Sequence, residues 1–325
     1  MMVDVVTLGE TMVLFQPSSQ GKITDSQYFL KTIGGAESNV ALALARLNHT
    51  VRWISKLGKD PFGQLILKTL QAEGVATDYV MTDADHPTAV FFKEARPLRD
   101  PAVYYYRKHS AASQLKPTDF NDDWLAEVRH LHVTGITPAL SHDAFLLVEK
   151  TMQRARELGL TVSFDPNIRF KLWSKQEAKE KLLKLLPYST IFLPGEDELH
   201  FLFSEVESME QIIDQIHELG VDLVVIKQGT EGSMASLKGK IIEKPAFKVD
   251  HVVDSVGAGD AYSAGLLHEL LKADLHSINL EQLESALVTA NTMGAYATQF
   301  QGDWEGAPTE EELNDLLGKE VLIDR

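Results

Sequence analysis

The sequence predicts an α/β fold: a mostly parallel sheet covered by helices on both faces, with a small β-sheet lid. Short β-rich runs alternate with longer helical patterns through most of the chain. Strands joined by helical crossovers build parallel sheets that bury both faces. Two stretches, residues 11–33 and 88–107, break that rhythm with aromatic, β-rich segments. No repeat, low-complexity tract or linker divides the 325 residues, so 1–325 reads as one domain.

In chain order, the apolar run 3–8 is a strand, and a helix over 37–47 opens just after Gly34-Gly35. A strand over 51–55 precedes a helix that starts near Pro61, a residue suited to a first helical turn, and ends about residue 73. Strand 130–133 leads into helix 142–158, and strand 161–165 into helix 175–186. Strand 223–227 and a hairpin over 234–243 come before helices 260–271 and 280–298. Within the irregular stretches, 89–92 and 103–106 read as strands around a turn at 97–101. Such strands serve either as a lid that excludes water from a cleft or as an ordinary decorated edge, and periodicity does not separate the two.

Composition narrows the function. Apolar residues make up 44% and charged residues 24%, the balance of a folded chain and not a disordered one. The 47 acids against 31 bases give −16, which repels phosphate backbones and anionic lipid, so neither nucleic acid nor membrane is an expected partner. With no cysteine, disulfides, thiolate nucleophiles and thiolate metal sites are excluded. The N-terminus lacks the basic flank of a signal peptide. No apolar run reaches the ~20 residues of a membrane span, so a cytoplasmic location is expected. His130 and His132 share a strand face, but without Cys or a helical His pair their expected role is structural.

The segment best suited to chemistry runs from Val252 to Gly265. Apolar residues lead into Gly257-Ala258-Gly259-Asp260, where a small-residue helix begins. Small residues let backbone N–H groups approach a ligand, and a helix N-terminus adds free donors and partial positive charge. Gly257, Ala258 and Gly259 thus offer an anion hole for a phosphoryl group in transit. Asp260 at its mouth is a candidate base, with the helix dipole favouring its ionised form. Taken alone, an aspartate there is more often a helix-start acid. There is no Walker A loop, and Tyr262 stands where a dinucleotide fingerprint needs its third glycine.

Residues 254–265, together with Ile33-Gly34-Gly35-Ala36-Glu37-Ser38-Asn39-Val40-Ala41, resemble the two signature motifs of the ribokinase-like (PfkB) carbohydrate kinases. The order of Gly-Gly motif, lid strands, α/β units and Gly-Ala-Gly-Asp agrees over essentially the whole chain. Within that family, residues 9–13, 105–113, 132–137, 164–169 and 302–306 are most similar to kinases of 2-keto-3-deoxygluconate. Guanidinium forks at Arg107 and Arg169 suit a carboxylate, and Tyr105 shares a strand face with Arg107. The resemblance implies ATP and Mg²⁺ as cofactors and a small-molecule sugar acid as substrate.

Carried over by position, it implies that Gly34, Gly35, Ala36, Glu37, Ser38 and Asn39 form a substrate edge, with Tyr105, Tyr106 and Arg107 descending from the lid. Ile136 is an apolar wall, Asn167 and Arg169 lie between substrate and triphosphate, and Asp303 hydrogen-bonds the sugar. Phe91 stands where related kinases carry a substrate-touching tyrosine, which removes a hydroxyl. The nucleotide is expected over Lys227, Gln228, Gly229, Thr230, Glu231 and Gly232, with Asn291 flanking the adenosine. Alone, Gly229 and Gly232 read as hairpin-turn glycines. Glu198 resembles the acid of the family's Asn-x-x-Glu motif, which organises magnesium through water. Gly195 replaces the Asn, and a solvated helix start fits equally. Exposed aromatic lid strands imply a homo-oligomer formed through the lid. The expected reaction is phosphorylation of 2-keto-3-deoxygluconate to its 6-phosphate. A neutral-sugar or nucleoside kinase (fructose, ribose) and a non-catalytic sugar sensor are the alternatives.

Overall fold

The computed structural model describes residues 2–19, 21–96, 99–206 and 208–318. Its strands are β1 (Val3–Leu8), β2 (Met12–Pro17), β3 (Phe29–Gly34), β4 (Val51–Ile54), β5 (Lys56–Gly58), β6 (Met81–Asp83), β7 (Val90–Arg96), β8 (Arg99–Tyr106), β9 (Val128–Thr134), β10 (Thr161–Asp165), β11 (Ile191–Phe192), β12 (Leu223–Lys227), β13 (Gly232–Leu237) and β14 (Lys240–Pro245). The helices are α1 (Ala36–Arg46), α2 (Pro61–Ala72), α3 (His142–Glu157), α4 (Lys175–Leu185), α5 (Glu196–Leu202), α6 (Met209–Glu218), α7 (Ala258–Leu271), α8 (Leu280–Ala297) and α9 (Glu310–Leu316). Side-chain caps fix several starts. Asp60 accepts the Gly63 N–H ahead of α2, and Ser141, Ser174, Ser208 and Asn279 cap α3, α4, α6 and α8 in the same way.

Eight strands form the main sheet in the order β14-β13-β12-β11-β10-β9-β1-β4. From β12 to β4 every pairing is parallel, and the hairpin β13-β14 closes the far edge antiparallel. Alternation along the strands feeds two cores. Val5, Leu223 and Val225 pack with α1, α7 and α8 on one face, and Val6, Leu8, Val224 and Ile226 pack with α3, α4 and α6 on the other. The sequence predicts this two-faced parallel sheet.

A second sheet, β3-β2-β7-β8, is the predicted lid element. It is attached at Gly9–Thr11, at Gly35 ahead of α1, and at Arg107 after β8. Met12, Leu14, Ala89 and Phe91 form a small core on its inner face. Tyr28, Leu30, Tyr104 and Tyr106 are exposed. Two boundaries differ from the sequence-based expectation. Strand β8 begins at Arg99, inside the expected 97–101 turn. A register irregularity between Glu94 and Arg96 lets the hairpin continue past Pro101, which has no N–H for the ladder. Residues 97–98 of that turn lie outside the described residues. Helix α7 begins at Ala258, two residues early, because Gly257 adopts φ +82° and caps it. The short strands β5, β6 and β11, of two or three residues each, fall below any readable period.

Phe164 is fully buried on β10 and meets Phe192 of β11 at 5.8 Å between ring centroids. Phe164→Ala should therefore lower unfolding free energy by about 3–5 kcal/mol, measured by urea titration.

Candidate active site

The carboxyl ends of β10 and β12, the start of α7 and the inner face of the lid enclose a cleft of about 450 Å³. Crevices at the carboxyl ends of parallel strands are where α/β folds bind ligands. Glycine makes the closest approaches. At Gly257 a Cβ would lie 1.9 Å from the Asp303 carbonyl oxygen, and at Gly34 one would lie 2.4 Å from Asp303 Oδ2 and 2.9 Å from Phe91. The loop carrying Asp303 thus packs directly on the α7 N-terminus and on β3.

Asp260 is the third residue of α7 and accepts a 2.7 Å hydrogen bond from Asn39 Nδ2. Although open to the cleft on one side, it is otherwise enclosed by protein. Burial pushes its carboxyl up to about 7; the Asn39 bond opposes this, Asp165 and Asp303 add repulsion, and Arg169 counters them. The helix dipole expected to keep it ionised is outweighed by desolvation. A carboxylate poised near neutral pH is well matched to proton abstraction.

Beside it, Lys227 Nζ sits 2.5 Å from Asp165 Oδ2, and Asp165 Oδ1 accepts the Asn167 N–H at 3.1 Å. Asn167 adopts φ +35°, an uncommon conformation for a non-glycine residue. Glu198 accepts N–H groups from Ile168 (2.6 Å) and Gly195 (2.8 Å). Burial and the Asp165 charge raise its pKa, with Lys227 opposing. Among the described residues no cluster of three His, Cys, Asp or Glu could hold a metal ion. A divalent cation here would need phosphate oxygens and water, with hard carboxylates such as Glu198 nearby, which is how Mg²⁺ is commonly bound.

From the lid, Phe91 and Tyr105 are cross-strand partners stacked at 5.7 Å, and the Arg107 guanidinium lies 5.4 Å from the Tyr105 ring. Arg107 Nη2 is 2.6 Å from Glu10 Oε2, and both side chains are buried. Ile136, Arg169, Gly35, Ala36 and Asp303 complete the cleft together with Gly34, Asn39, Gly257, Gly259 and Lys227.

Several expected positions lie elsewhere. Glu37 and Ser38 turn away from the cleft: Glu37 is fully buried beneath Gly9, accepting hydroxyls of Thr134 and Thr137, and Ser38 bonds the Gly35 carbonyl. Burial pushes the Glu37 carboxyl up to about 7. Tyr106 alternates to the outer lid face, where it is 66% exposed and meets Phe92. Gln228, Gly229, Thr230, Glu231 and Gly232 do not line this cleft. Gly229–Glu231 is an exposed single turn, and Gly232 opens β13. Asn291 spends its amide inside the protein, donating to the Lys244 and Pro245 carbonyls and accepting from Ser233. Ala258 heads α7 and is absent from the cleft's lining. His130 and His132 are buried among the hydroxyls of Thr161 and Ser163. Sequence reasoning overlooked Glu10, Lys93, Asp165 and Asp254. The available signals were an Asp-Pro-Asn at a strand end and a lysine two residues beyond Phe91 in an apolar strand.

A raised carboxyl pKa carries a stability consequence. Folding lifts Asp260 from 3.8 to about 7, so the native state binds the extra proton between those values and this group's contribution declines as pH rises through them. Asp260→Asn should raise Tm at pH 8, with the advantage shrinking toward pH 4, as read by thermal unfolding across pH.

The pfkB family carbohydrate kinase model matches residues 2–310. A 2-dehydro-3-deoxygluconokinase of Bacillus subtilis strain 168 is 37% identical over 325 residues, covering 99% of this chain and 98% of that protein. A probable fructokinase-4 of Arabidopsis thaliana is 30% identical, covering 96% of each. In structure, a ribokinase-type protein of E. coli in complex with ATP and Mg²⁺ superposes with a TM-score of 0.86 at 25% identity, over 98% of this chain and 99% of that one. The matched motifs, the parallel sheet with its lid and the cleft at the start of α7 agree: this chain belongs to the pfkB family of carbohydrate kinases.

Proposed function

We propose that the cleft transfers the γ-phosphoryl group of ATP to a primary hydroxyl of the sugar acid 2-keto-3-deoxygluconate. The observation that carries the reading is Asp260, poised near neutral pH at the mouth of the α7 N-terminus with Lys227 alongside. In this scheme the sugar lies against Gly34 and Gly35 beneath Phe91 and Tyr105, and its carboxylate meets Arg107 and Arg169. Asp260 takes the hydroxyl proton. The N–H groups of Gly257, Ala258 and Gly259, together with Lys227, face the charge on the transferring group. Mg²⁺ carried with ATP would lie toward Glu198 and Asp165 and supply neutralisation of phosphate charge. Gln228, Gly229, Thr230, Glu231 and Gly232 would lie outside the cleft proper, accessible to the nucleoside, with Asn291 holding β14 beside it. The 37% identity to a 2-dehydro-3-deoxygluconokinase supports the sugar acid, since that name denotes a kinase of 2-keto-3-deoxygluconate.

One observation favours a neutral sugar such as fructose. Glu10 already balances Arg107, which leaves Arg169 as the less committed guanidinium at the cleft. A coupled ADP-release assay across 2-keto-3-deoxygluconate, its galactonate epimer, fructose and ribose separates the two. The sugar acid should give the highest kcat/KM, and a clear preference for fructose would replace the reading. Arg107→Ala should raise KM for the sugar acid by roughly 10–100-fold, the worth of a charged hydrogen bond. Asp260→Asn should lower kcat by roughly 10²–10⁴-fold. In the unaltered enzyme, kcat/KM should rise with pH through about 7 as the base deprotonates.

The outer lid face, on which Tyr104 and Tyr106 are exposed beside Phe92, fits pairing of two copies lid to lid. Sedimentation should show a dimer that Tyr106→Glu dissociates, and a monomer at micromolar concentration would remove the idea. No helix among the described residues is long and apolar enough to cross a membrane.

A further inference from the structure

We infer that Lys93 is a positioning residue, docking lid strand β7 onto the body and setting the cleft carboxylate Asp303 for the sugar. The inference rests on the sugar-kinase reading above and goes beyond it by giving the lid a specific clasp.

Lys93 follows Phe91 by two residues, so both project to the inner face of the lid. Its side chain is only 3% exposed. A buried ammonium remains charged only where partners replace its water. Nζ lies 2.6 Å from Asp254 Oδ2 and 2.8 Å from Asp303 Oδ1, and these two acids raise its pKa against the burial that would lower it. They come from separate segments. Asp254 stands just ahead of the α7 anion-hole turn, and Asp303 follows α8. Asp254 also accepts the Val256 N–H at 3.1 Å and the Gly302 N–H at 3.3 Å. One ammonium therefore ties the lid to both loops that shape the cleft.

The charge balance gives the tie its consequence. Asp303 lines the cleft, and its carboxyl is raised by burial and by Asp254 and Glu305, with Lys93 as the cation that opposes them. Withdrawing the lid takes Lys93 away and leaves two buried carboxylates facing each other. Seating the lid restores their counterion. The acceptor carboxylate for the sugar is then correctly set only when the lid is down, which couples sugar binding to the exclusion of water. Phe91 and Tyr105 descend on the same sheet, so one movement delivers the apolar cover and the cation together.

The test uses the full chain and the sugar of the panel that the unaltered enzyme phosphorylates fastest. Lys93→Met should raise sugar KM at least tenfold, equal to about 1.4 kcal/mol, with KM for ATP within about twofold. It should also raise the ratio of ADP released to sugar phosphate formed. Lys93→Arg should recover most of the sugar KM. Asp254→Asn, which keeps the Lys93–Asp303 pair, should change it by less than about threefold, under 0.7 kcal/mol. If Lys93→Met does not fold, the charge-matched Lys93→Met/Asp254→Asn enzyme should still show the tenfold rise. Hydrogen exchange of residues 90–96 and 301–306, read without substrate, should accelerate in both segments when Lys93 is removed. Unchanged sugar KM, equal rises in both KM values, or unchanged exchange would each overturn the inference. The exchange result stands whichever sugar the panel selects, so a failure of the sugar-acid assignment is seen separately.

Discussion

Carboxylates from four parts of the chain, Asp165, Glu198, Asp260 and Asp303, face one cleft, and their mutual repulsion in a partly desolvated space is the constraint the surrounding structure answers. Each like charge added to such a site raises the cost of ionising the rest. Two lysines offset that cost from opposite sides. Lys227 at the end of β12 pairs with Asp165 at the end of β10, which requires the intervening β11 to be in register although it has only two residues. Lys93 arrives from the lid and pairs with Asp254 and Asp303. The remaining imbalance is left on Asp260, where a raised pKa would serve the base proposed above instead of being merely costly.

The main sheet was legible because its signals are local and repeated. Residues 223–226 are apolar throughout, as a strand covered on both faces must be, and Thr161–Asp165, buried at every position, is followed by a helical period. The lid was legible as a break in that period. What escaped was short or set by geometry at a distance. Strand β11 has too few residues to show a pattern. The true start of α7 depends on a positive φ at Gly257, which is needed because the Asp303 backbone passes where any Cβ would be.

The site was legible in kind but less so in orientation. Motif resemblance carries a stretch of residues across without saying which way each side chain points. Helix and strand periods would have sorted some of them. Ala36 and Asn39, three apart on α1, face the cleft, while Glu37 and Ser38 between them do not. Tyr105 and Arg107 share a face that Tyr106, by the pleat, cannot. Pairing partners were beyond reach. Lys93 meets Asp303 across 210 positions, and Ser110 meets Glu10 across 100, with no local signal joining them. Asn291 shows the converse, for a polar residue in a late helix looked available to ligand until its three partners accounted for its amide.

An acidic cleft in a chain of net charge −16 is a poor receptacle for a polyanionic nucleotide and for the anionic sugar proposed above. Long-range attraction cannot bring them in, since distant surface charge is screened within about 8–10 Å at physiological salt. Recognition must therefore act at contact range, through groups that carry partial or paired positive charge. The α7 N-terminus supplies backbone donors that need no counterion, and its glycines remove the side chains that would hold an anion away. Arg107 is aimed by Glu10 and stiffened by Tyr105, so its remaining donors are fixed in place before any ligand arrives. The Asp260 carboxyl, pushed up to about 7, further reduces the negative charge an incoming phosphate would meet near neutral pH. Preorganised donors and a half-neutralised Asp260 would let this cleft tolerate an anion without attracting anions in general, a basis for discrimination that a plainly basic pocket would lack.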